Sequence, residues 1–205
     1  SLYNIYSQKN DEINNLLNHI VSIPNIPIEL LSKYYAKLYT AESDFYKNMN
    51  KDLGLNKIDI YLIFIKTLFE GVKLKSLPLA SNNLLYRAAK ISNKEISDLK
   101  KYLKNKIAGL PGAIAFSKSF LSFSKEKEIT KIFLEPINED NNLSKVLFIL
   151  EKKDNLKYNL STHGDIEELS FHKKEKEVLF FPFSAFEIKS IKEKNINEEK
   201  VYEIK

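Results

Sequence analysis

The apolar positions of this 205-residue chain change period part-way along it, and that change divides the reading in two. From Glu12 to about Leu77 they recur three and four residues apart, the spacing that lines one face of a helix. Ile13, Leu16, Leu17 and Ile20 form one stripe. Leu30, Leu31, Tyr34, Tyr35, Leu38 and Tyr39 form the next, after the break that Pro24 and Pro27 impose. A further helix is predicted after Asn56, through Ile60, Ile63, Phe64, Thr67 and Leu68, with Gly71 near its end. This part reads as a small helical layer.

From Leu84 onward short apolar runs broken by turn residues predict strands with helices between them. Leu84 to Ala88 reads as a strand, and Ser92 or Asn93 is placed to cap a helix from Lys94 to Ile107 that Gly109, Pro111 and Gly112 stop. Ala113 to Phe123 reads as one or two strands. Ser124 is a candidate cap for a short helix carrying Ile129, Ile132 and Phe133. Asn138 to Asn142 is a polar loop, Lys145 to Leu150 a strand, and Val178 to Phe183 a nearly continuous apolar strand buried on both faces. Ser184 to Lys192 and the last residues through Tyr202 and Ile204 alternate as paired edge strands do. The pattern predicts an α+β fold, with a helical subdomain over residues 1–80 and a mainly antiparallel β core over 81–205. No repeat or flexible linker separates them, so they are expected to pack as one unit.

Composition narrows the function classes. With 43% hydrophobic against 29% charged residues, the chain is too apolar to remain disordered. Its longest apolar stretch, Ile58 to Phe69, is interrupted by Asp59 and Lys66 and falls short of the ~20 residues of a membrane helix, so a soluble protein with no membrane partner is expected. Without cysteine there is no disulfide framework, thiolate nucleophile or Cys-based zinc site. His19, His163 and His172 are too dispersed to predict a metal site. Neither a P-loop nor a GxGxxG run is present, which removes the Rossmann mode of binding a dinucleotide. The chain opens at Ser1 with neither an initiator Met nor a signal-peptide pattern, and so reads as a piece of something longer.

The net charge of +5 raises the question of nucleic acid, but the lysines are interleaved with glutamates, as in Lys125-Glu126-Lys127-Glu128, rather than gathered in a stripe. No nucleic-acid partner is expected. Among the 32 basic residues Arg87 alone is arginine, which marks a place where lysine's point charge does not substitute for a forked guanidinium.

Three constellations could carry chemistry. Arg87 lies in Leu85-Tyr86-Arg87-Ala88, where it could clamp a pyrophosphate or a carboxylate; a chance surface arginine is the plainer reading. In Phe120-Leu121-Ser122-Phe123-Ser124 the two serines share one side of an extended chain and Phe123 takes the other. They could position a sugar, or simply belong to a half-exposed strand ending at a helix cap. In Glu175-Lys176-Glu177, a strand starting at or before Glu175 would put two carboxylates on one face about 7 Å apart. Such a pair suits cleavage of an N-glycosidic bond: one carboxylate stabilises the oxocarbenium-like sugar, and the other takes a proton from the nucleophile. The plainer reading is a solvated strand end in a lysine-rich loop.

Together, Arg87, Ser122-Phe123-Ser124 and Glu175-Lys176-Glu177 resemble the Arg, Ser-x-Ser, Glu-x-Glu signature of the mono-ADP-ribosyltransferases of cholera-toxin-like and vertebrate arginine-specific type. Glu175 through Phe183 with Phe186, and the upstream stretch Tyr39 to Tyr46 with Asn48 and Leu53, also resemble that family. The likeness runs from about Leu30 to Ile188, and Phe123 departs from it where the family usually has Thr. The resemblance implies a helical layer on a mainly antiparallel two-sheet core with NAD, as co-substrate, in a cleft and no metal. It implies that Arg87 anchors the phosphates, that Tyr86 and Ser124 join the NAD-contacting set, and that Ser122 binds the nicotinamide ribose and helps orient Glu177. Glu177 would stabilise the oxocarbenium-like ion, and Glu175 would face the acceptor.

A Glu at the place of Glu175 goes in that family with arginine acceptors, a Gln with others, although some bacterial relatives modify threonine on ubiquitin. The protein acceptor would meet the loop holding Phe171 and His172. Secretion or delivery into a host-cell cytosol belongs to the same implication. Two competitors remain: an NAD glycohydrolase using the same site with water, and a non-catalytic basic interaction module.

Overall fold

The structure is a computed structural model that describes residues 11–41, 44–74, 84–105, 113–132, 142–151, 162–196 and 199–205. The predicted stops at Gly109, Pro111 and Gly112, residues Ile107 and Phe133, and nearly all of the 138–142 loop lie outside these. In chain order the elements are α1 (Asp11–Ser22), α2 (Ile28–Thr40), α3 (Asp44–Gly54), a 3-10 turn (Asp59–Tyr61), α4 (Leu62–Leu74), β1 (Leu85–Ser92), α5 (Asn93–Lys104), β2 (Ala113–Phe116), β3 (Leu121–Ser124), α6 (Lys127–Ile132), β4 (Leu143–Leu150), β5 (His163–Asp165), a 3-10 turn (Lys173–Glu175), β6 (Glu177–Phe180), β7 (Ala185–Ile188), β8 (Ile191–Ile196) and β9 (Glu199–Ile204). The fold is α+β, with mainly antiparallel sheets. None of the described helices is long and apolar enough to cross a membrane.

The chain forms two compact units. One comprises residues 1–77, 118–121 and 160–183, and so unites α1 to α4 with β5 and β6. Its core takes the faces that the helical spacing marks on α1, with Ile13 and Leu17, and on α2, with Tyr35, Ala36, Leu38 and Tyr39. On α4 it takes Phe64, Leu68 and Val72, while Ile60 and Ile63, expected on that stripe, are 74% and 75% exposed because a 3-10 turn precedes the helix. Phe45, Met49 and Leu53, four residues apart on α3, enter the same core. Tyr35 stacks on Phe64 with ring centroids 4.6 Å apart. Two glycines set how closely elements approach: a Cβ on Gly71 of α4 would lie 2.5 Å from the Ser32 Cβ on α2, and one on Gly164 of β5 would meet Val72 of α4, including its Cγ1 at 2.6 Å. β5 pairs antiparallel with β6, Gly164 opposite Leu179. The strand predicted over Val178 to Phe183 runs instead from Glu177 to Phe180. Its four residues are buried, but Pro182 begins a turn that puts Phe183 at φ 65° and 61% exposed, because proline withholds the N–H that a ladder needs.

The second unit comprises residues 78–117, 122–159 and 184–205. Its strands lie in the order β3-β1-β4-β9-β8, and β2 and β7 form a separate antiparallel pair. The segment Ser184 to Lys192, expected to pair with the last residues as edge strands, divides instead between β7, which pairs with β2, and the start of β8. β9 runs parallel to β4 and antiparallel to β8 and is interior, with Val201, Tyr202, Glu203 and Ile204 all buried. Glu203 is tolerated because the Lys194 ammonium lies 2.7 Å from its Oε2, and that bond holds the carboxyl below its usual range. One sheet face, with Val146, Phe148, Tyr202 and Ile204, packs with Ile96, Leu99 and Leu103 of α5 and with Ala113, Ala115 and Ile188 of the small sheet. The other carries Tyr86 and Ala88 against Leu147, Ile149 and Val201.

Candidate active site

Arg87 sits in the middle of β1, directly opposite Phe148 of β4. Opposed residues share a sheet face, so Arg87 emerges on the side that α5 and the small sheet cover. It is half-buried, and its Nη1 donates to the main-chain oxygen of Ser122, 2.9 Å away. That bond ties the arginine strand to β3, whose register on β1 places Ser124 opposite Tyr86. Tyr86, although adjacent to Arg87, packs with the Leu147 and Ile149 cluster on the opposite face.

In β3, Ser122 is half-buried and Phe123 is buried, as the alternation predicts, with its ring 6.2 Å from that of Phe186 on β7. Ser124 is buried too. Its hydroxyl accepts from the Glu126 N–H at 2.9 Å and lies 3.1 Å from the Glu126 carbonyl. It therefore builds a serine turn that ends at Glu126, just ahead of α6, instead of capping that helix, which begins only at Lys127.

The glutamates belong to the first unit, and they do not share a strand. Glu175 ends a 3-10 turn, held by its N–H donating to the His172 carbonyl at 2.9 Å. Lys176 then adopts left-handed backbone, φ 47°, and β6 starts at Glu177. The period-two argument that would align the two carboxylates requires extended backbone from Glu175 onward, and the left-handed residue between them breaks it. Glu175 is half-buried, whereas Glu177 is only 4% exposed. The Ser170 hydroxyl, itself 3% exposed, donates to Glu177 Oε2 at 3.2 Å and accepts from the His172 N–H at 3.1 Å. One residue on, the Phe171 N–H donates to Thr40 Oγ1 on α2 at 2.7 Å. Phe171 and His172 are half-buried, their rings edge to face at 5.4 Å, and the Lys37 ammonium lies 5.7 Å from the Phe171 ring.

Ser170 and Thr40 were not found from the sequence. Thr40 falls in the Tyr39 to Tyr46 stretch with no role assigned to it, and Ser170 lies in a loop that offers no periodic signal. The histidines behave as structural rings: His19 meets Tyr34 edge to face, and His163 stacks on Phe180 at 4.8 Å. Among the described residues no group of three His, Asp or Glu side chains is placed to hold a metal.

No protein-family profile matches the sequence, and no curated protein matches it. Solved structures do. Vis, an ADP-ribosyltransferase toxin from Vibrio splendidus, is 20% identical in its complex with agmatine, with TM-score 0.59 over 97% of this chain and 87% of that one. HopU1, an ADP-ribosyltransferase of Pseudomonas syringae pv. tomato DC3000, is 12% identical, with TM-score 0.60 over 95% and 82% of the two chains. This chain has the ADP-ribosyltransferase fold. C3stau2 of S. aureus, solved with NAD, agrees at TM-score 0.52, 13% identity and 94% and 93% coverage. At these identities the likeness to ADP-ribosyltransferases is one of fold, and the chemistry must be argued from the residues.

Proposed function

We propose that this protein is an NAD-dependent mono-ADP-ribosyltransferase, which moves ADP-ribose from NAD to a side chain of a target protein and releases nicotinamide. The observation that carries this reading is Glu177. Taking a carboxylate out of water costs free energy, and a chain folded like the ADP-ribosyltransferases places this one at the head of a buried strand, oriented by a buried hydroxyl. That is the environment of a group kept for chemistry rather than for solvation.

In the proposed reaction the bond between the ribose C1′ and the nicotinamide nitrogen breaks, and both its electrons go to the ring, so nicotinamide leaves neutral. Glu177 accepts a hydrogen bond from the ribose 2′-hydroxyl and stabilises the positive charge developing on the sugar. The acceptor's nitrogen or oxygen attacks the opposite face of C1′, inverting it, and gives up its proton to Glu175. Arg87, still able to offer several donors beyond the one it gives Ser122, binds the diphosphate, and Ser122 binds the nicotinamide ribose. Tyr86 lies on the sheet face that Ser122 and Ser124 share by the register of β3 on β1, and it joins them in the proposed NAD-contacting set. Ser124 contributes through the turn that fixes the end of β3.

Arginine is the favoured acceptor. Vis has been solved with agmatine, an amine that carries arginine's guanidinium, and Glu175 supplies a carboxylate to pair with such a group. Threonine, as on ubiquitin, is the competing acceptor. Phe171 and His172 are the proposed contacts for the target.

The test is incubation of the protein and its Glu177→Ala variant with labelled NAD, with and without a eukaryotic cell lysate, following nicotinamide release and label on protein. Label on a discrete protein that disappears with Glu177→Ala is the expected result. Nicotinamide release without protein label would establish a glycohydrolase, and the absence of both signals would overturn the reading.

A further inference from the structure

The sequence signature gives Ser122 a part in orienting Glu177, but it does not point to the hydroxyl of Ser170, which bonds the Glu177 carboxylate directly. The Ser170 hydroxyl has one proton and can accept through oxygen. The His172 N–H occupies its acceptor side at 3.1 Å, which directs the proton toward Glu177 Oε2 at 3.2 Å. Ser170 is itself held, because its own N–H donates to the Ile166 carbonyl at 2.7 Å, and the Ile166 N–H donates in turn to the main-chain oxygen of Glu177 at 3.0 Å. Serine and glutamate are thus joined twice, through side chains and through a backbone bridge across Ile166, and all three residues are buried. Beyond Ser170 the loop is fastened to α2, where Thr40 Oγ1 accepts from Phe171 N–H while lying 3.1 Å from the carbonyls of both Ala36 and Lys37.

We infer that Ser170 is a positioning residue for the reaction, holding the Glu177 carboxylate in the rotamer that meets the ribose, with Thr40 as the anchor that keeps Ser170 in place. The inference rests on the transferase reading and deepens it: Ser170 acts through Glu177 and does not touch NAD. A carboxylate free to rotate samples orientations that cannot stabilise the sugar cation, so losing the serine lowers turnover while leaving NAD binding as it was.

The experiment is steady-state nicotinamide release from NAD by the full chain and by Ser170→Ala, Ser170→Thr, Thr40→Val, Glu177→Ala and the Ser170→Ala/Glu177→Ala double variant. Ser170→Ala is expected to lower kcat about 10- to 100-fold, the range for one hydrogen bond to a charged group, with KM for NAD unchanged. Ser170→Thr, which keeps the hydroxyl, recovers most of the loss, and Thr40→Val falls between Ser170→Ala and wild type. In the Glu177→Ala background Ser170→Ala has no further effect on the residual rate, because the group it positions is gone. A wild-type kcat in Ser170→Ala, or an equal loss with and without Glu177, overturns the inference and leaves the transferase reading standing. A wild-type chain that releases no nicotinamide overturns that reading and this inference with it.

Discussion

The Arg87 guanidinium reaches across from β1 to the main-chain oxygen of Ser122 on β3, 2.9 Å away. One planar group thereby braces two strands while keeping a fork of further donors for an anion, a geometry that a compact ammonium lacks. Arg87→Lys is therefore expected to raise KM for NAD about 10- to 100-fold, the range for a lost hydrogen bond to a charged partner, with a melting temperature close to wild type. Nicotinamide-release kinetics beside a thermal melt check this, and an unchanged KM would count against Arg87 as the phosphate ligand.

Arg87 is also the one arginine of the chain, and it is half-buried. If the acceptor is arginine, prolonged incubation with NAD leaves the enzyme itself unlabelled while its target is modified. Mass spectrometry of the enzyme after reaction reads this directly. ADP-ribose on its own lysines, serines or threonines would point to a different acceptor chemistry.

At Gly71, α4 packs tightly against α2. A Cβ there would sit 2.5 Å from Ser32 Cβ and 2.6 Å from its Oγ, so Gly71→Ala requires the two helices to move apart around a fully buried seam. The expected loss is about 1–3 kcal/mol in urea denaturation, outweighing alanine's gain in helix propensity. By contrast, Gly54→Ala meets nothing within 4 Å of its Cβ and relieves the chain of a glycine at the last residue of α3. It is expected to be neutral or mildly stabilising.

α5 opens on a reciprocal capping box: the Ser92 side chain accepts from the Glu95 N–H, and the Glu95 carboxylate accepts from the Ser92 N–H at 2.9 Å and its hydroxyl at 2.7 Å. The bonds from the Ser92 hydroxyl and backbone, in that order, lower the Glu95 pKa from its ordinary value. A carboxylate whose folded pKa is depressed stabilises the fold fully above its unfolded value, and that contribution is lost as pH falls through the folded one. Ser92→Ala should cost about 1 kcal/mol at neutral pH. The difference between wild type and variant should shrink on acidification below the ordinary glutamate range, as followed by denaturation at a series of pH values. A difference that stays constant would mean the glutamate takes no part in the cap.

The stripes of α1 and α2, the cap at Ser92 and the inward turn of Phe123 were legible in the sequence because each depends on neighbours within a few residues. Helical spacing, a capping serine and strand alternation are local properties of the chain. The α+β class followed from the same local signals. Glu175 and Glu177 were legible as residues but not as a geometry. Nothing in a lysine announces left-handed backbone, so a strand that begins one residue after Lys176 could not be distinguished from one that begins before Glu175.

What the sequence by itself determined was the α+β class, the order of most helices and strands, the faces that α1 and α2 bury and the identity of the charged residues proposed to work on a dinucleotide. Tertiary structure decided what those residues are held by. Arg87 finds its partner oxygen 35 positions away, and the loop carrying Ser170 is fastened to Thr40 across 131. Contacts at such separations form only when the whole chain has closed on its cores, and no local pattern of hydrophobic and polar positions encodes them.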